Sequence, residues 1–131
     1  MFLDTSGLVV LFDCNEPRHE AAKRFVQTAP LLLIHNYVLA EFVPLVHARR
    51  LPRQLALNFM RVLMEEEALR MIWVDRAIHD AAVNLLDRRR DKTYSLCDAV
   101  SFVVMDQQED NDALTTDRHF EQEGFKRLLE L

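Results

Sequence analysis

The chain has 131 residues, 50% of them hydrophobic and 28% charged, with only two Gly and four Pro. That balance excludes a disordered or low-complexity chain, and no apolar run nears the roughly 20 residues that span a bilayer. The formal net charge is −5, from 21 acidic and 16 basic residues, which at first sight argues against a nucleic-acid partner.

Phe2-Leu3 is a short apolar run that reads as a buried strand. Asp4-Thr5-Ser6, residue types that cap helices, follow at once, and then the apolar run Leu8-Val9-Val10-Leu11-Phe12. Asp4 therefore stands at the carboxyl end of a strand, the edge where ligands bind in open α/β sheets. Asn15-Glu16-Pro17 breaks the chain, and Ala21, Ala22, Phe25 and Val26 recur at helical spacing after His19. Leu31 to Ile34 reads as a second buried strand. Asn36 is placed as the N-cap of a helix from Tyr37 to about Arg50, kinked by Pro44.

Beyond the break at Leu51-Pro52, Leu55, Phe59, Val62 and Leu63 mark a helix that ends in Glu65-Glu66-Glu67. Leu69 to Val74 is the third strand. Asp75 caps the next helix, whose Ile78, Ala81, Ala82, Leu85 and Leu86 share one face. Ser95 opens a helix to about Gln108, Ala113-Leu114-Thr115 is a fourth strand, and Asp117 to Glu123 a short helix. Phe125 to Leu129 completes the pattern as an edge strand. Strands alternating with helices predict an α/β fold, a three-layer α/β/α sandwich around a parallel sheet of four to five short strands. One domain over residues 1–131 is expected at this length.

The N-terminus has no basic stretch leading into an apolar core, so export is not expected. Cys14 and Cys97 fall in apolar helical runs without metal-like spacing, as expected of reduced thiols in a cytoplasmic protein.

Four acids stand apart from this framework. Glu41 has only apolar neighbours from Tyr37 to Val43, and Asp98 lies in a run that is apolar on nearly all sides. A carboxylate near a core is costly unless paired or bound to a cation. A buried ion pair to an arginine is the structural alternative for Glu41. For Asp98 it is a capping box with Ser95. Asp4 and Asp117 both follow short strands, where capping is the alternative. Together the four acids meet at one sheet edge and repel one another. A divalent cation resolves that repulsion and brings phosphodiester chemistry with it. With these four set against a cation, 17 acids face 16 bases. Arg49-Arg50 with Arg53, and Arg88-Arg89-Arg90 with Lys92, are clustered as a phosphate backbone requires, or as solvated helix ends.

Phe2-Leu3-Asp4-Thr5-Ser6, Leu39-Ala40-Glu41, Tyr94-Ser95-Leu96-Cys97-Asp98-Ala99 and Leu114-Thr115-Thr116-Asp117-Arg118-His119-Phe120 resemble, in order and spacing, the four motifs of PIN-domain ribonucleases. The small stand-alone members of that family are mostly VapC-type toxins of toxin–antitoxin pairs. The resemblance implies a single PIN domain acting as a Mg²⁺- or Mn²⁺-dependent endoribonuclease on structured RNA such as tRNA or rRNA. It implies Asp4 and Asp98 as metal ligands, completed by Glu41 and Asp117, with Ser6 supporting Asp4 and Thr115 orienting the fourth motif. Pro44 departs from the pattern, three residues after Glu41. Arg49, Arg50, Arg88, Arg89 and Arg90 are the candidate RNA contacts.

The histidines, His119 included, show no ligand spacing, and His119 reads as packing or orienting. A cognate antitoxin and a homodimer are the partners the resemblance implies. Leu55, Phe59, Met60, Leu63 and Met64 exceed what one buried helix face needs, which suits a docked antitoxin segment. The rival readings are a metal-dependent phosphatase of small esters and a PIN-like binding scaffold.

Overall fold

A computed structural model describes residues 1–130. Five short strands form one sheet: β1 (Phe2–Leu3), β2 (Leu32–His35), β3 (Leu69–Ile72), β4 (Asp112–Leu114) and β5 (Lys126–Arg127). All neighbours are parallel, in the order β3-β2-β1-β4-β5. Seven helices among the described residues flank it: α1 (Thr5–Phe12), α2 (His19–Thr28), α3 (Asn36–Ala48), α4 (Arg53–Met64), α5 (Arg76–Arg88), α6 (Leu96–Gln107) and α7 (Arg118–Gln122). This is the α/β architecture expected from the alternation of short apolar runs with helical periods.

The strand order decides where a site belongs. From β1 the chain moves outward through β2 to β3, then returns to pair β4 on the other side of β1. A crevice opens at such a switch point, outside the carboxyl ends of the strands. β1 pairs with β4 in the register Leu3↔Leu114, which sets Asp4 beside Thr115 one residue further on. Gly7 permits this closeness, since a Cβ there would collide with the carbonyl oxygen of Leu114.

The core is built from fully buried residues of the strands and of α6, among them Phe2, Leu3, Leu33, Ile34, Phe102 and Leu114. α6 is buried from Cys97 to Phe102, the central position its all-round apolar sequence predicts. No helix among the described residues is long and apolar enough to cross a membrane.

Several local expectations are corrected. The N-cap of α3 is His35, whose Nδ1 accepts from the Val38 N–H at 3.3 Å. Asn36 instead lies inside the helix and accepts from the Val74 N–H at 2.7 Å, tying the start of α3 to the chain leaving β3. Cys14 is exposed in the turn after α1 rather than within a helix. β3 stops at Ile72, leaving Trp73 63% exposed, and β5 spans two residues instead of five. α3 ends at Ala48, and Arg50 takes a left-handed conformation with φ of 57°.

His35 is fully buried, and burial lowers its pKa from 6.5 to about 3. Ser101 Oγ donates to the Cys97 carbonyl at 2.9 Å, so it accepts from His35 Nε2–H at 2.8 Å. That is the tautomer that leaves Nδ1 free to cap α3.

Candidate active site

Asp4 occupies the N-cap position of α1 but makes no side-chain cap. Its Oδ2 instead accepts from Thr115 Oγ1 at 2.7 Å and Ser6 Oγ at 2.9 Å. The two hydroxyls lie 3.0 Å apart. Ser6 Oγ also accepts from the Thr116 N–H and Thr115 Oγ1 from the Asp117 N–H, each at 3.0 Å. The first and fourth motifs are thus laced together through Asp4. Burial raises the Asp4 pKa from 3.8 to about 6, with Asp98 adding repulsion and the two hydroxyls offsetting part of the rise.

Glu41 is exposed, contrary to the burial its apolar neighbours predicted, and no arginine pairs with it among the described residues. α3 turns this part of its surface to an open cleft, so apolar neighbours in sequence do not enclose it. Thr5 Oγ1 donates to Glu41 Oε1 at 3.0 Å, linking α1 to α3. The Cys97 thiol is pushed up first by burial and then by the charges of Glu41, Asp4 and Asp98. A thiol so held is no nucleophile.

Asp98 does complete the anticipated capping box. Its Oδ2 accepts from the Ser95 N–H at 3.1 Å, and its N–H donates to Ser95 Oγ at 3.0 Å. The same Oδ2 lies 2.9 Å from His119 Nδ1. Asp117 caps α7, its Oδ1 accepting from the His119 N–H at 2.9 Å. Both residues therefore cap a helix and also border the cleft.

Asp4, Glu41, Asp98 and Asp117 line one cleft of about 550 Å³ with Thr5, Ser6, Pro44, Leu45, Ser95 and His119. Thr115 is fully buried behind Asp4. His119, which the sequence marked only as packing or orienting, also lines the cleft. The signal was its place in the first turn of a helix capped by Asp117, where the backbone folds its side chain back over the cap.

None of the five arginines proposed for RNA lines the cleft. Arg49, Arg50 and Arg88 are exposed, whereas Arg89 is bound through two nitrogens to Glu123 at 2.9 and 3.1 Å, and Arg90 pairs with Asp87 at 2.9 Å.

The donor set fits a divalent cation. It consists of hard carboxylate oxygens plus one imidazole, and ligand atoms of Asp98, Asp117 and His119 lie within 4.8 Å of one another. The raised pKa of Asp4 comes first from burial, and the nearby Asp98 carboxylate adds to it.

A family model described as PIN domain matches residues 1–126. Among characterised proteins, the chain is 29% identical over 126 residues to the 23S rRNA-specific endonuclease VapC20 of Mycobacterium tuberculosis, covering 95% of each. It is 31% identical over 122 residues to ribonuclease VapC26 of the same species, covering 92% of this chain and 89% of that one. The crystal structure of M. tuberculosis VapC20, described as a sarcin-ricin loop cleaving toxin, superposes with a TM-score of 0.87 at 28% identity, over 99% of this chain and 98% of that one. A toxin–antitoxin complex from Klebsiella pneumoniae shares the fold with a TM-score of 0.67 at 17% identity, over 99% of this chain and 98% of that one.

Proposed function

The chain belongs to the PIN-domain family, and from that premise we propose that it is a metal-dependent endoribonuclease, the toxin of a toxin–antitoxin pair. The observation that carries this reading is the meeting of four carboxylates in one cleft at the switch point of the sheet. Asp4, Glu41, Asp98 and Asp117 would hold Mg²⁺ or Mn²⁺. A divalent ion bound there supplies Lewis-acid chemistry to phosphodiester hydrolysis and offsets the charge that builds up at the phosphate.

The chain's own residues prepare that site. Ser6 and Thr115 fix the orientation of Asp4 through its Oδ2, and Thr5 holds Glu41 through its Oε1. Pro44 and Leu45 give the cleft an apolar wall that limits water on one side. Arg49, Arg50 and Arg88, exposed away from the acids, supply phosphate contacts along the RNA. Arg89 and Arg90 are occupied by Glu123 and Asp87 and act chiefly within the fold.

The substrate is a structured RNA. The sarcin-ricin loop of 23S rRNA is the first to test, because VapC20 is named for that target and tRNA is the family alternative. The protein acts in the cytoplasm as one domain spanning the chain, and as a homodimer. Of the five α4 residues expected to dock an antitoxin segment, Leu63 is buried and Phe59 and Met60 pack against the core. The apolar surface left for such a segment is Leu55 with Val62 two turns on, 58% and 68% exposed.

The test is cleavage of an rRNA fragment carrying that loop, of tRNA, and of a chromogenic phosphate ester, each with Mg²⁺, Mn²⁺ or EDTA. Cleavage of one RNA, abolished by EDTA, is expected. Undiminished cleavage in EDTA overturns the metal mechanism, and preferential hydrolysis of the ester turns the reading to a phosphatase.

A further inference from the structure

We propose that His119 is a metal ligand that tilts the cleft towards a first-row transition ion and away from Mg²⁺, an inference that rests on the metal-dependent reading above. Nδ1 of His119 lies 2.9 Å from Asp98 Oδ2 and 3.5 Å from Asp117 Oδ2. Nε2 has its own partner, Thr93 Oγ1, at 3.2 Å. A ligating imidazole characteristically gives its second nitrogen to an orienting group, which fixes both tautomer and ring direction. The ring is further held by Tyr94, edge-on with centroids 5.2 Å apart. Tyr94 in turn donates its hydroxyl to Glu123 Oε1 at 3.2 Å, and Arg89 clamps Glu123. A buttress running back to the C-terminal end of α5 therefore aims Nδ1 at two acids. This gives Arg89 a part in the site that does not involve RNA.

Two tautomers are compatible with these distances, and they mean different things. In one, Nδ1–H donates to Asp98 and His119 only orients that acid. In the other, Nε2–H donates to Thr93, and the Nδ1 lone pair faces Asp98 and Asp117. The second makes a mixed nitrogen–oxygen donor set. Mg²⁺ takes oxygen ligands almost exclusively, whereas first-row transition ions accept imidazole readily.

The test uses the whole protein and Mn²⁺ as the probe. Pulsed electron paramagnetic resonance of the Mn²⁺-loaded wild type should show modulation from a directly bound nitrogen, and His119→Asn, which offers an amide oxygen in its place, should lose it. Competition between the two ions should show the Mn²⁺ preference over Mg²⁺ falling about tenfold in His119→Asn, and Thr93→Val should weaken Mn²⁺ binding by roughly 10–100-fold. The wild-type spectrum needs no variant to fold. Bound Mn²⁺ without nitrogen modulation, in a protein that still cleaves RNA, overturns the His119 assignment alone. Failure to bind either ion overturns the metal-dependent reading and this inference with it.

Discussion

Protonation of His35 offers a direct check on how the site is held, because His35 caps the helix that carries Glu41. Its pKa is about 3 in the folded protein against 6.5 for an ordinary histidine. Below pH 6.5 the unfolded chain takes up a proton that the folded chain refuses, so stability falls as pH drops from 6.5 towards 3. The full span, 3.5 pH units at 1.36 kcal/mol each, is about 5 kcal/mol, and about 2 kcal/mol of it is already lost at pH 5. His35→Asn removes the titration while keeping an oxygen able to accept the Val38 N–H.

At pH 7.5 the variant should be less stable by about 1–3 kcal/mol, because Ser101 loses a buried partner. At pH 5 that gap should narrow by about 2 kcal/mol. Asp4 pulls the other way as its raised pKa is crossed, but it is common to both proteins and cancels in the difference. Urea unfolding of both proteins in EDTA at the two pH values measures the gap. A gap that stays constant would refute the reasoning, and would mean that His35 is either solvated or charged in the fold.

Two further substitutions probe the acids and the arginines. Thr5→Val removes the hydroxyl that donates to Glu41; it should shrink the rise in melting temperature caused by Mg²⁺ and cut RNA cleavage about tenfold, while Thr5→Ser restores both. Equal behaviour of Val and Ser in melting and cleavage assays would remove Thr5 from the positioning of Glu41. Arg50→Gly relieves a left-handed residue at the end of α3, so the protein should gain about 1 kcal/mol in urea unfolding. RNA affinity should fall together with its salt slope, by about one unit if Arg50 meets a phosphate. An unchanged slope would exclude that contact.

The fold was legible because its signals are local. Each run read as a strand became one, and the alternation with helices left a parallel sheet as the economical arrangement. Asp4, Asp98 and Asp117 were legible for a related reason, since each stands where a strand or loop enters a helix, and such junctions gather at one sheet edge. Glu41 was found by its apolar company but misjudged in burial. Helical neighbours in sequence do not say which side of α3 is open, and the side bearing Glu41, Pro44 and Leu45 faces the cleft.

What stayed hidden depends on contacts far apart in the chain. His35 caps α3 only because Ser101, 66 residues on, takes its other nitrogen. Arg89 reads as a free cation until Glu123, 34 residues away, is placed against it. His119 shows no ligand spacing in sequence because its companions are Asp98 and Thr93, which no helical or strand period connects to it.

Capping and cation binding compete as explanations only while the chain is read as a string. In the fold each acid is fixed through one named oxygen: Asp4 Oδ2 by two hydroxyls, Glu41 Oε1 by Thr5, Asp98 Oδ2 by the Ser95 N–H, and Asp117 Oδ1 by the His119 N–H. Each such bond fixes the carboxylate in direction before any cation arrives, so less rotamer freedom is lost on binding. The N-termini of α1, α6 and α7 also open on the cleft, and their dipoles favour negative charge there. The residue types that start helices thus gather three of the four carboxylates in one place, and Glu41 joins them from within α3. The same bonds that make Asp98 and Asp117 caps are what fix their carboxylates at the cleft.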